Sequence, residues 1–521
     1  MRNRLKRYLT VFAIFALLGA CDKNFGEFNV DPTTTAKVDL SSLFSSSQVK
    51  FASYDPETLT NFCHAFMQYG WSDFWYGTTY ELNDGLSNRA WNNHYANVLK
   101  DLEYVIPQLE KDPALSNTYA AARIWRVFVY QKLTDMYGDI PYFEAGKALI
   151  DGTFAPAYDT QQSIYADFVK ELRAARDGLS TSAATVKGDQ FYGGDASKWK
   201  KLANSLLLRI GMRMIKVDPA QASSLVKEAV SGGVMSSNDD MPILKYDNLT
   251  NDGFNFNIGD QHFTLRNTLV DHMNSSGDPR LFIYGAVYTK QKDASAAVAY
   301  PTGTTTAMIA DSLAKYDWDL NTPDTYSNSA PENINRTRVR YDIYHEVNLP
   351  YIHFFYAHVE FLLAEAVLRG YISGDANDYY TKGVTAHMES FSKIKERVPA
   401  CPVPSSSDIS TYLANNPITK IGTSVENQIE QINTEYWVAG YIFEADEVWA
   451  NWRRTGYPKL IPTPAGHFSI AGGNPSTGVI PRKLPYPNSE FSTNSANLAK
   501  ALSVYGGVND FTTNPRVWWD K

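Results

Sequence analysis

Six aromatic residues, Tyr69, Trp71, Phe74, Trp75, Tyr76 and Tyr80, fall within twelve positions, interleaved with Gly and Thr and followed by Asn83 and Asp84. A flat amphipathic ring offers an apolar face for stacking, and neighbouring amides and carboxylates supply hydrogen bonds. This composition does not read as a core helix, so the segment is a candidate ligand-binding loop, although each ring is equally a candidate for the core. A second group, Tyr316-Asp317-Trp318-Asp319 with Tyr326 and Asn328, repeats the chemistry in a region rich in Asn, Asp, Gly, Thr and Ser. Tyr341 and Tyr344 follow it. The 33 tyrosines and 13% aromatic content make such surface plentiful throughout the chain.

Bond-breaking constellations are mostly missing. The chain has neither G-x-G-x-x-G nor G-x-x-x-x-G-K-[ST], no G-x-S-x-G elbow and no H-E-x-x-H. His353 and His358, five apart, diverge by about 140° on a helix and do not readily share a metal, so both read as core or groove histidines. Carboxylate pairs occur, as in any acidic protein, but a glycosidase needs two across a cleft, which sequence does not show. Asp317-x-Asp319-x-Asn321 begins like a calcium loop, yet Thr322-Pro323 stands where glycine is needed and no Glu closes it. No cofactor is expected, and a structural calcium ion there is disfavoured. Glu360 and Glu365 with Arg369 read as helix-surface charge, Glu365 and Arg369 in the favourable i,i+4 order.

The 521 residues carry a formal charge of −8, which argues against broad nucleic-acid binding. Arg2, Arg4, Lys6 and Arg7 precede an apolar run from Tyr8 to Ala20, too short to span a membrane and laid out like a secretory signal. The run ends Leu18-Gly19-Ala20-Cys21, which resembles the lipobox of bacterial lipoproteins, where the signal is cut before a lipid-bearing cysteine. Residues 1–20 are thus read as a signal peptide and Cys21 as the lipidation site. Losing the four positive charges of that leader takes the formal charge from −8 to −12. Cys63 and Cys401 remain and are expected as free thiols.

The elements that must position the aromatic groups read as helices. Residues 21–45 form a lipidated tether, and 46–521 a single domain. Helix pairs are expected around 92–137, 160–216, 351–393 and 424–453, with a loop-rich insertion at about 236–348 and an irregular tail from 456. Ile164, Phe168, Leu172, Ala175 and Leu179 share one helical face opened by Asp159 or Thr160. Trp199, Leu202, Ala203, Leu206 and Ile210 share another, capped by Ser197. The class is mostly α, with tetratricopeptide-like pairs of no fixed period.

Seven segments in order carry a resemblance. They are Asn29-Val30-Asp31-Pro32, Tyr137-Gly138-Asp139-Ile140-Pro141, Trp199 to Leu206, Asp278-Pro279-Arg280, Glu360 to Ala366, Glu447 to Pro458, and Ile480-Pro481-Arg482 with Tyr486-Pro487. Together they resemble the SusD/RagB family of Bacteroidetes outer-membrane lipoproteins, most closely the subgroup with W-R-R-T-G-Y-P. Physically these motifs are structural first. Trp199, Trp449 and Trp452 suit gaps between helices, and Arg453 and Arg454 suit fixed bonds to carboxylates or loop carbonyls.

The resemblance implies an α-solenoid scaffold with an irregular ligand face, acting without catalysis as a lid on a SusC-like TonB-dependent transporter. It implies capture of oligosaccharides, or in some members peptides, at the outer membrane and facing the cell exterior. Asp22 would retain a lipoprotein at the inner membrane under enteric sorting rules, but these bacteria use different signals. In sugar capture the axial C–H face of a pyranose stacks on a ring while amides and carboxylates bond its hydroxyls. The site expected on these grounds is Trp75, Tyr76, Tyr80, Asn83, Trp318, Asp319 and Tyr326. A peptide binder, a surface glycoside hydrolase and a purely structural plug are the alternatives.

Overall fold

The computed structural model describes residues 39–72, 80, 84–246, 263–287, 337–463, 465, 477–510 and 513–521. Helix α1 (Leu40–Thr58) starts inside the stretch read as tether, because the Asp39 carboxylate accepts the Ser41 N–H at 3.0 Å and caps it. Pro56 removes one backbone donor from its last turn, and the helix widens into a π-helical turn, Leu59–Cys63, before ending at His64–Phe66. A second run passes through α2 (Asp84–Asn92), a π-helical stretch Asn93–Leu99, and α3 (Lys100–Leu109).

Helix α4 (Ser116–Tyr137) is the central rod, buried on nearly every side, which is why its apolar residues show no single stripe. It stops at Gly138, whose φ of +79° suits glycine and where a Cβ would fall 2.1 Å from the Tyr505 hydroxyl. Helix α5 (Gln161–Gly178) is capped by Thr160 and buries Ile164, Phe168, Leu172 and Ala175, the face its spacing predicts. Helix α6 (Ala196–Arg213) is capped by Asp195, not Ser197: Asp195 accepts the Ser197 N–H at 2.8 Å. The acidic side chain two residues earlier wins because its oxygen is already charged. Helix α7 (Pro219–Gly232) opens with Asp218 as cap and Pro219 in the first turn.

The second half adds α8 (Asn267–Ser275), α9 (Tyr356–Leu368), α10 (Ala376–Lys395), α11 (Ser406–Asn415), α12 (Val425–Ala439), α13 (Ala445–Thr455) and α14 (Ser495–Ser503). Neighbours α4 and α5, α6 and α7, and α9 and α10 pack as pairs, and α6 and α12 both lie against α9. This is the mostly helical, pairwise-stacked class expected. The described strands are short. β1 (Gly70–Ser72), β5 (Phe263–Leu265), β7 (Thr337–Val339) and β6 (Gly285–Val287) form one antiparallel sheet in that order. Two-stranded ribbons join β2 (Ile140–Pro141) to β3 (Tyr158–Asp159), and β4 (Ile243–Leu244) to β8 (Tyr351–Ile352). No described helix is long and apolar enough to cross a membrane.

The motif residues sit where packing needs them. Trp199 and Trp449 are fully buried, and the Trp449 indole donates to Pro481 O at 2.8 Å. Arg453 donates to the Asp135 and Arg482 carbonyls at 2.6 and 2.8 Å, tying α13 to α4 and to the tail. Glu365 corrects the expectation of surface charge: it is buried, paired with both Arg454 and Arg369. Glu360 is likewise buried. The i,i+4 spacing was right, but the partner that decides burial lies 89 positions away and is invisible to local pattern. His353 and His358 are core residues, and Cys63 and Cys401 are buried free thiols.

Candidate functional site

The four-stranded sheet holds the described ends of the segments that carry both aromatic groups. Ser72 pairs with Phe263, Thr264 with Arg338, and Val287 with Thr337. Residues after β1 therefore leave at the end where β5 begins. The segment joining β6 to β7, which carries Tyr316, Trp318, Asp319 and Tyr326, leaves and returns at the opposite end. The two departures differ by roughly 7–10 Å along the strands and by two to three strand spacings of about 4.8 Å across the sheet.

The first group divides. Tyr69 is buried: its hydroxyl donates to Trp437 O, and its ring stacks on the Trp437 indole at 5.4 Å and 24°. The Trp437 indole donates in return to Met67 O at 2.9 Å. Gln68, at a positive φ of 58°, donates through its amide to Ile461 O and accepts from the Thr268 hydroxyl at 2.9 Å. These bonds sew the start of the loop to α12 and α8, a rigid footing for whatever follows.

Tyr80 is the one expected site residue of this group that the structure describes, and it lies in the core. Its ring is 2% exposed and packs against Phe66 at 6.1 Å, and its hydroxyl accepts the Thr463 N–H at 3.0 Å. The medium does not reach that ring, so Tyr80 anchors the loop's far end instead of offering a stacking face. Burial follows from the hydroxyl finding a fixed backbone donor, a contact 383 positions away in sequence. Trp75, Tyr76, Asn83, Trp318, Asp319 and Tyr326 lie outside the described residues, as do Cys21 and the calcium-like Asp317–Asn321 segment. Tyr344 is a core residue.

Arg266, between β5 and α8, is a residue that sequence reasoning passed over. Burial pulls its guanidinium below the ordinary arginine range while the nearby Tyr80 pushes the other way. Its Nη1 is buried with no hydrogen-bond partner among the described residues. The residue as a whole is only half-buried, and its backbone N–H donates to Tyr69 O at 3.0 Å, so the exposed part of its guanidinium stands at the root of the aromatic segment and is suited to a hydroxyl or carbonyl oxygen of a ligand. No local pattern flags it, because a lone Arg after a short strand looks like any surface charge.

The β6 and β7 flanks are equally firm. Arg340 grips Asp342 with two bonds of 2.7 and 2.6 Å and donates to Phe282 O at 2.7 Å, while Tyr284 donates to Val438 O at 2.9 Å. On the helical frame an open groove of about 620 Å3 is lined by Asn238, Tyr356, Thr385 and Lys393. Among the described residues no three His, Cys, Asp or Glu side chains are placed to hold a metal ion.

Comparison with known proteins accords with this arrangement. Residues 32–487 match the SusD-like family described as starch-binding and associating with the outer membrane. A chitin-binding protein of solved structure shares 32% identity, covering 93% of this chain and 100% of its own, with a TM-score of 0.74. A Bacteroidetes SusD-like protein shares 26% identity over 93% of this chain and 100% of its own, at 0.77. A SusD homologue from Bacteroides fragilis, 22% identical over 93% of this chain and 100% of its own, shares the fold at 0.67. No curated protein sequence matches. The chain belongs to the SusD-like family of outer-membrane-associated binding proteins.

Proposed function

We propose that this protein is a lipid-anchored nutrient binder on the cell exterior that captures oligosaccharides and delivers them to a SusC-like TonB-dependent transporter. The observation that carries the choice of sugar over peptide is the 32% identity, across 93% of the chain, with a chitin-binding protein. In this reading Trp75, Tyr76, Trp318 and Tyr326 stack on pyranose faces, and Asn83, Asp319 and Arg266 bond hydroxyls or acetamido groups. Cys21 carries the lipid. The protein binds without catalysing and needs no cofactor, and the frame at the roots of the site is already held by buried bonds before a ligand arrives. Modest affinity suits the role, because a ligand must be handed on.

Affinity electrophoresis in gels cast with glycol chitin or with starch tests the choice. Retardation in either gel supports sugar capture. Unretarded migration in both, together with saturable heat on titration with mixed oligopeptides, would replace it with the peptide-binding alternative.

A further inference from the structure

Trp518 and Trp519 are adjacent, yet the core takes only the second. Trp519 is fully buried, and its indole donates to Asp135 Oδ1 at 2.8 Å. The guanidinium carbons of Arg213 and Arg453 lie 5.1 and 4.7 Å from its ring centroid. The next residue, Asp520, is also buried and receives Arg482 Nε and Nη2 at 2.6 and 2.7 Å. With both successors pinned, Trp518 is turned aside. It is half-buried and meets Tyr165 of α5 edge-on at 5.7 Å.

Trp518 lines a groove of about 420 Å3 together with Gln162, Lys216, Asp218 and Gln221. That volume lies within the range of small-molecule sites. Gln162 is in the first turn of α5, and the other three sit where α6 passes into α7. Asp218 spends one oxygen on the Gln221 N–H at 2.9 Å, as the cap of α7. Lys216 makes one long contact, 3.5 Å, to Arg453 O. The lining carries Lys216 and Lys521 against Asp218, so it offers ammonium donors and a carboxylate acceptor beside the amides of Gln162 and Gln221. That many polar groups disfavour a purely apolar ligand. A ligand with one flat apolar face and a rim of hydroxyls, which both donate and accept, can use them all.

We infer that this groove is a second saccharide subsite, in which Trp518 stacks on one pyranose ring while Gln162, Gln221, Asp218 and Lys216 bond its hydroxyls. The inference rests on the reading that the ligand is a sugar, but not on the aromatic loops. None of the groove's residues belongs to the four-stranded sheet or its flanks. The platform needs no ordering on binding, because Trp519 and Asp520 already hold it.

The test uses the whole protein labelled with 5-fluorotryptophan, whose Trp518 fluorine resonance is assigned by its loss in Trp518→Phe. Triacetylchitotriose and maltotriose are titrated, with calorimetry in parallel. The expected result is a saturable shift of the Trp518 resonance by one of the sugars, persisting in the Trp75→Ala/Trp318→Ala double variant. Gln221→Ala should weaken that titration about fivefold at an unchanged melting temperature, the loss of roughly one hydrogen bond. Binding heat with a motionless Trp518 resonance overturns this subsite and leaves the loop-centred reading intact. A shift at Trp518 with every other indole silent upholds the subsite and removes the loops. No heat and no shift with either sugar overturns both.

Discussion

Arg454 and Glu365 meet as a buried two-bond pair, Nη1 to Oε1 at 2.7 Å and Nη2 to Oε2 at 2.6 Å. The same carboxylate also receives Arg369 Nε at 2.7 Å, and Arg454 holds Asn451 Oδ1. The pair bolts α13 to α9, and so joins the most distinctive motif of the sequence to the second half of the helical stack. Arg454→Ala should destabilise the protein by about 3–5 kcal/mol, since it takes the buried carboxylate's two-bond partner and leaves it only the half-buried Arg369. Glu365→Ala should cost a similar amount, and the double variant clearly less than the sum of the two. Urea denaturation of the four proteins checks this.

Acid should find these pairs first. Burial alone would raise the Glu365 carboxyl, but Arg454 and Arg369 hold it down to about 2. Glu447, whose desolvation is outweighed by Arg209 and Arg213, is also held at about 2. A lowered folded pKa gives stability that is complete above the ordinary glutamate value and is lost as pH falls through the folded one. Stability should therefore decline between about pH 4.5 and 2. In Glu365→Gln that acid limb should be shallower, as denaturation midpoints across this window would show.

Lys483 runs the other way. It is buried, its ammonium 3.7 Å from the Tyr486 ring centroid and donating to Leu484 O at 2.9 Å, and burial pulls its pKa down to about 7. The unfolded chain holds that proton up to about pH 10, so stability should rise from pH 7 to 10. Lys483→Met should abolish this rise and narrow the gap to wild type as pH increases. A rise that persists in the variant would assign it to other groups.

Tyr80 and Arg266 should separate anchoring from binding. Tyr80→Phe leaves the Thr463 N–H without its acceptor and should cost about 1–3 kcal/mol of stability with sugar affinity nearly unchanged. Arg266→Ala should leave melting nearly unchanged and weaken sugar binding roughly tenfold, the loss of a charged donor. Thermal melts and calorimetry on the same samples give both readings.

Trp75→Ala and Trp318→Ala should each weaken sugar binding about tenfold without unfolding the protein. Unchanged affinity in both would move the site elsewhere on the molecule.

The sequence was most legible where one helix buries one face. The stripe from Ile164 to Ala175 and the stop at Gly138 are local statements, and the structure repeats them. It was least legible where a distant partner decides. Glu365 looked like surface charge because Arg454 lies 89 positions on, and Tyr80 looked like an exposed ring because Thr463 lies 383 positions on. Asp195 displaced Ser197 as a cap because two good caps stood two residues apart. Composition singled out the two aromatic segments as candidates, whereas nothing local singled out Arg266 or Trp518. The roles proposed for them rest on what their neighbours have already bonded, which only a folded chain displays.

The most direct test of the central claim, capture without transformation, is calorimetry of residues 22–521 with hexaacetylchitohexaose and maltohexaose, followed by chromatography of the recovered sugar. Saturable heat with one hexasaccharide and full recovery of intact chains is the predicted result. Shorter sugars in the recovered fraction, or no heat with either ligand, would contradict it.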